Sequence, residues 1–215
     1  PDSLDAVIFR DKKVVILDGT APHTLDPSYA GVCEEILNFG MFWKTEKLQE
    51  KKKEILELTD KNKSLHKSAA LYLGALREIL MDNIKLLSLC TEKPKVEAFA
   101  NKLCKKYIPK KNGFGKEQVR FLFGATPKGI VSFADTVFSL AKKTVIIEDE
   151  YGFTSNIIMK NLRDYCLKNG YEIISVKNAL LPSCLYDHII IPELSLAFVR
   201  EFSFQHFKTE ERDYK

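Results

Sequence analysis

Thr144-Val145-Ile146-Ile147-Glu148-Asp149-Glu150-Tyr151-Gly152-Phe153-Thr154-Ser155-Asn156 is the stretch on which the fold turns. It opens with four β-branched or apolar residues and passes through three consecutive acids and one glycine. It then enters a run of helical spacing that ends at Asn169-Gly170. Tyr171 to Val176 follows as a second strand-like run. Strand, short turn, helix and strand make a βαβ unit, the building block of nucleotide-binding α/β folds. The turn stands where a P-loop would cradle phosphates with backbone N–H groups and a lysine. That chemistry requires Gly-x-x-x-x-Gly-Lys-Ser/Thr. Asp149 occupies the first glycine position, Thr154 the second, Ser155 the lysine and Asn156 the hydroxyl residue, and only the internal Gly152 remains. Glu148, Asp149 and Glu150 repel a polyphosphate. An ordinary strand-to-helix connection, capped by Thr154, accounts for the same residues.

Upstream, Arg120-Phe121-Leu122-Phe123 reads as a short strand, Gly124 to Gly129 as a loop and Ile130 to Lys142 as a helix. Lys128 and Gly129, between strand and helix, pair a cation with exposed amides and could take an anion. At the N-terminus, Ala6-Val7-Ile8-Phe9 and Val14-Val15-Ile16-Leu17 flank a charged turn. Runs apolar on both faces suit a covered sheet, so Val14–Leu17, Val145–Ile147 and Ile173–Val176 are expected as buried parallel strands. A proline-containing loop follows, and Asp26 or Ser28 can cap a helix through about Asn38, with Gly40 as its stop. Asp18 closes the second run and resembles a Walker B carboxylate that would reach Mg²⁺. His23, in the loop, is a candidate nucleotide contact.

The chain also repeats itself. Asp5 to Leu17 aligns without a gap onto Asp187 to Val199, each an Asp, an apolar run, a short turn and a second apolar run. The residue matching Asp18 is Arg200.

The middle of the chain differs in kind. Thr45 to Leu89 holds no proline and one glycine, Gly74, and its apolar residues recur at nearly heptad spacing from Leu48 through Ile55, Leu58, Leu65, Ala69, Tyr72, Leu76 and Ile79 to Leu86. One unbroken helix of that length would span roughly 65 Å, so an antiparallel pair or protruding arm is expected, with breaks near Asp60–Asn62 or Gly74. Lys93 to Tyr107 is a further helix. Residues 44–116 carry 18 Lys and Arg against 9 Asp and Glu, and the rest of the chain 15 against 20. The lysines near Lys51 interleave with Glu46, Glu50, Glu54 and Glu57 as a solvated helix face does. The cluster from Lys102 to Lys116 is cleaner and leaves an acidic protein or a nucleic acid open as partners.

The remaining composition excludes whole classes. With 215 residues, 45% hydrophobic and 29% charged, the chain is ordinary globular material. It has neither a membrane-spanning run nor a signal-peptide pattern at the residues given. Five widely spaced cysteines without a C-x-x-C pair favour a reducing, cytoplasmic setting. Four isolated histidines form no metal set or triad. Pro1 opens the chain directly ahead of a strand-like pattern, which reads as a fragment.

The strings DSLDAVIF, VVILDGTAPHTLDP, ATPKGIVSF and DHIIIPELSLAF resemble an uncharacterised bacterial family of ATPase-like proteins with two tandem P-loop NTPase domains and a helical insert between them. The resemblance covers most of the chain. It implies an α/β fold: a P-loop NTPase-like parallel sheet with helices on both faces, plus a long helical insert or arm. On that pattern residues 1–43 are the end of a first α/β repeat, 44–116 the basic insert and 117–215 a second, degenerate repeat. The family's P-loop reads much like IIKGRPGTGKSTL, which falls without gaps on Ile146 to Ile158, and its first P-loop would lie before Pro1. ATP and Mg²⁺ are the implied ligands of the intact protein. Lys128, Gly129, Gly152, Thr154 and Ser155 are the nucleotide-facing positions here, and Asp18 the metal-facing one. The function so implied is an ATPase-like nucleotide-binding protein without an intact Walker A. The alternative is a non-catalytic α/β scaffold whose basic arm binds a protein or nucleic acid.

Overall fold

The computed structural model describes residues 4–20, 24–126 and 129–207. The chain divides into two compact units, Pro1–Lys61 and Asn62–Lys215.

In the first unit, β1 (Ala6–Phe9) and β2 (Val14–Leu17) form an antiparallel hairpin. This corrects the expectation of a buried parallel strand at Val14–Leu17. A four-residue connection can only return the chain antiparallel, since a parallel partner needs a crossover of a dozen residues or more. All four residues of β2 are exposed. The expected helix from Ser28 to Asn38 is replaced by a compact turn. Gly31 sits at φ 77°, its N–H donates to Glu34 O, and the Tyr29 N–H donates to the Glu34 carboxylate. Asn38 instead caps a single 3₁₀ turn, Phe39–Phe42, by accepting from the Gly40 N–H.

α1 (Thr45–Glu50) stops at Lys51, and α2 (Lys52–Cys90) then runs without interruption for 39 residues, about 58 Å. Neither Asp60–Asn62 nor Gly74 breaks it, so the antiparallel helical pair is corrected to one continuous helix. Gly74 costs about 1 kcal/mol relative to alanine, too little to stop a helix favoured on both sides.

In the second unit, α3 (Lys93–Tyr107) lies where the sequence placed it. Then come β3 (Glu117–Arg120), β4 (Phe123–Thr126), β5 (Gly129–Ser132), α4 (Asp135–Leu140), β6 (Lys143–Glu148), α5 (Phe153–Lys168), β7 (Ile173–Lys177), β8 (Tyr186–Ile191) and β9 (Leu196–Glu201). The expected strand Arg120–Phe123 divides between β3 and β4. The expected helix from Ile130 to Lys142 is in part strand: Gly129 at φ 106° and the β-branched pair Ile130-Val131 turn the chain back onto β4, leaving helix only from Asp135.

β3, β7, β8, β9 and β6, in that order, form one sheet. β3 is parallel to β7 and β9 to β6, while β8 is antiparallel to both its neighbours. The parallel sheet of the sequence reading is therefore corrected to a mixed one, because the hairpin β8–β9 is inserted between β7 and β6. Its two faces follow the period of two. Val145, Ile147, Ile173, Ile189, Ile191, Leu196 and Phe198 point toward α3 and α5. Ile146, Ile174, Val176, Ile190, Ala197 and Val199 pack with Val137 of α4 and with Phe207. Helices thus cover both faces, and Val145–Ile147 and Ile173–Val176 are buried as expected. Among the described residues no helix is long and apolar enough to cross a membrane.

Candidate functional site

β3, β7, β9 and β6 share one direction, so their carboxyl ends line one edge of the sheet, the edge at which α/β folds place ligands. The β6–α5 turn lies on that edge. Gly152 is the residue before α5 and adopts φ 77°. The positive φ favours glycine, and a Cβ there would press on Arg200 Nη1 at 3.1 Å. Asp149 turns its side chain back over the helix start: Oδ1 accepts the Gly152 N–H at 3.0 Å and Oδ2 the Ser155 N–H at 2.7 Å. These are N–H groups that a P-loop would offer to phosphate. The carboxylate satisfies them and lies at the positive end of the helix dipole.

The cap expected from Thr154 is therefore supplied by Asp149, three residues before Gly152, and α5 starts at Phe153. The Ser155 side chain is fully buried, and its Oγ has no hydrogen-bond partner among the described residues. Asn156 looks inward, its Nδ2 donating to Cys184 O and its Oδ1 accepting from the Tyr186 N–H.

Beneath the turn, Arg200 and Asp187 form a buried ion pair, each side chain 3% exposed. Arg200 donates from Nε and Nη2 to Asp187 Oδ1, and from Nη1 to the carbonyls of Asp149 at 3.0 Å and Glu150 at 3.1 Å. The guanidinium thus spends its donors holding the turn. Asp187 is completed by Asn178 Nδ2, whose Oδ1 accepts from the N–H groups of Leu180 and Leu181. Glu150 accepts from the Ser203 N–H, which ties the turn to the chain after β9.

A second polar line continues inward from His188. Its Nδ1 accepts the Arg200 backbone N–H at 3.1 Å. A backbone N–H can only donate, so the proton sits on Nε2 and goes to Gln205 Oε1 at 2.9 Å. Gln205 Nε2 in turn donates to Ser132 Oγ. Burial lowers the His188 pKa to about 4, with Arg200 acting in the same direction and Asp187 and Gln205 opposing.

The structure brings Gly152, Thr154 and Ser155 together at one helix start. Gly129 is placed elsewhere, opening β5 opposite Thr126. Lys128 and His23 lie outside the described residues. Asp18, in the first unit, accepts from the N–H and Oγ1 of Thr20 in a local turn. No group of three His, Cys, Asp or Glu side chains among the described residues could hold a metal ion. The sequence reading did not single out Asp149 as the occupant of the helix start, nor Asp187, Asn178 and Arg200 as its support. Two signals bore on them: an acid three residues ahead of the only glycine, and Arg200 where the repeat sets Asp18.

The repeat persists in three dimensions. Under the alignment, Ala6↔Leu17, Val7↔Ile16, Ile8↔Val15 and Phe9↔Val14 become His188↔Val199, Ile189↔Phe198, Ile190↔Ala197 and Ile191↔Leu196, and those are the pairs observed. Lys13 at φ 53° and Ser195 at φ 47° close the two turns at equivalent positions. Each also donates its N–H three residues back, to Arg10 O and Pro192 O. The chain matches no family model, no curated protein and no solved structure.

Proposed function

We propose that this chain is a catalytically silent α/β scaffold derived from a P-loop-like nucleotide-binding unit. The observation that carries the reading is the Asp149 carboxylate on the N–H groups of Gly152 and Ser155. A nucleotide phosphate would have to displace that carboxylate and then sit beside Glu148 and Glu150, with Ser155 in place of the P-loop lysine. The residues of this turn do not fit a bound triphosphate.

The matched hairpins support a duplicated architecture, in which β1–β2 belongs to a first copy and β8–β9 to a second. Where the first ends in Asp18, a Walker B-like acid suited to Mg²⁺, the second ends in Arg200, which braces the turn. In this reading any ATP and Mg²⁺ chemistry belongs to the first copy, and the second serves as framework.

Calorimetric titration of the chain with ATP and Mg²⁺ is expected to give no binding heat up to millimolar nucleotide. A stoichiometric isotherm with a micromolar Kd overturns the proposal.

A further inference from the structure

The face of α2 from Asn62 to Cys90 carries a complete heptad that nothing described so far employs. Counting Asn62 as the first core position, called a, places Asn62, Ala69, Leu76, Asn83 and Cys90 at a, and Leu65, Tyr72, Ile79 and Leu86 at d. The charged residues of the segment, Lys63, Lys67, Arg77, Glu78, Asp82 and Lys85, all fall outside a and d, and Gly74 lies on the far face. Leu65, Tyr72, Leu76, Ile79 and Leu86 are 46–78% exposed. Asn83 of the seam, and Leu80, Ile84 and Leu87 on its flank, are half-buried. The apolar residues of the seam are therefore an open stripe.

We infer that this seam pairs with the same seam of a second copy of the chain, parallel and in register, as a two-stranded coiled coil. The two asparagines select both the occupant and the orientation. In a parallel in-register pair every a residue faces its own counterpart, so Asn62 meets Asn62 and Asn83 meets Asn83, each amide offering a donor and an acceptor to its twin. Antiparallel packing sets a against d, which puts Asn62 opposite Leu86 and Asn83 opposite Leu65 and leaves four amides buried without partners, about 1–3 kcal/mol each. A parallel shift by one or two heptads has the same defect. Burying the apolar seam residues of both copies removes on the order of 1,200 Å² from water, the size of a stable specific interface. This inference does not depend on the reading of the β6–α5 turn.

Sedimentation equilibrium of the full chain under reducing conditions tests it. The expected result is a dimer of twice 24.6 kDa, halved to monomer by Leu65→Asp with Ile79→Asp and retained by Leu71→Asp on the outer face. Orientation is read without any destabilising variant. Cys90 is a free, exposed thiol at an a position, so mild oxidation with diamide should link the two copies through it. The link should vanish in Cys90→Ser and survive in Cys33→Ser and Cys184→Ser. A monomer at tens of micromolar, or a dimer untouched by the seam substitutions, overturns the proposal. A seam-dependent dimer that does not cross-link through Cys90 overturns the parallel register.

Discussion

Arg200 shows how one side chain can settle what a site does. A guanidinium has five donors and no acceptor, and here they are shared among Asp187 and two turn carbonyls. Removing it strands a buried carboxylate and two carbonyls. Arg200→Ala is accordingly expected to cost about 3–5 kcal/mol, measured as a fall in the urea midpoint. Asp187→Leu combined with Arg200→Met should lose distinctly less than the two single losses added, because an uncompensated charge is worse than none. If the double loss equals the sum, the pair is not the coupling unit. At this scale the sequence was legible only in part. The loss of the Walker A pattern at Asp149, Thr154, Ser155 and Asn156 could be read from residue types. The carboxylate that fills the helix start could not, since its role depends on a side-chain torsion over a turn held from β9, 51 residues away.

Elements were read well where one period dominated. The helix Lys93–Tyr107 and the run from β6 through α5 to β7 fell within a residue or two of expectation. The helix expected through Asn38 fails because Gly31 takes a positive φ, and the start of the one expected over Ile130–Lys142 fails because Gly129, also at positive φ, turns Ile130 and Val131 back onto β4, whose Gly124–Thr126 reads as loop. The sheet's mixed direction was implicit in the repeat, since two runs joined by four residues must be antiparallel neighbours. α2 offers an element-scale test. A Cβ at Gly74 meets nothing within 4 Å and the position has no positive φ. Gly74→Ala should therefore stabilise α2 by about 0.5–1 kcal/mol, read as a raised midpoint followed by far-ultraviolet circular dichroism. A loss of stability would mean that the backbone there is not helical.

For the whole molecule, acid sensitivity follows from His188. The unfolded chain takes up a proton near pH 6.5, whereas the folded one refuses it until about pH 4. Below pH 6.5 the unfolded state therefore binds more protons, and stability declines as pH falls toward 4, by a total of on the order of 3 kcal/mol. Urea unfolding at pH 7, 5.5 and 4.5 measures this, and His188→Gln should flatten that window. Glu117, held below the usual carboxylate range by its hydrogen bonds with Arg163, acts in the same sense at lower pH. Its contribution is complete at neutral pH and is lost only as pH falls below 4.5 toward its lowered pKa.

The inserted hairpin has one more consequence, for the cost of assembling the sheet. β8 and β9 meet across five residues at their closest pair and β7 and β8 across nine, whereas β6 reaches β9 across 53 and β3 reaches β7 across 56. Loop-closure entropy rises with the logarithm of that separation. The three central strands are therefore entropically the least expensive to bring together, and the two edges bear the long-range cost that sets contact order and slows folding.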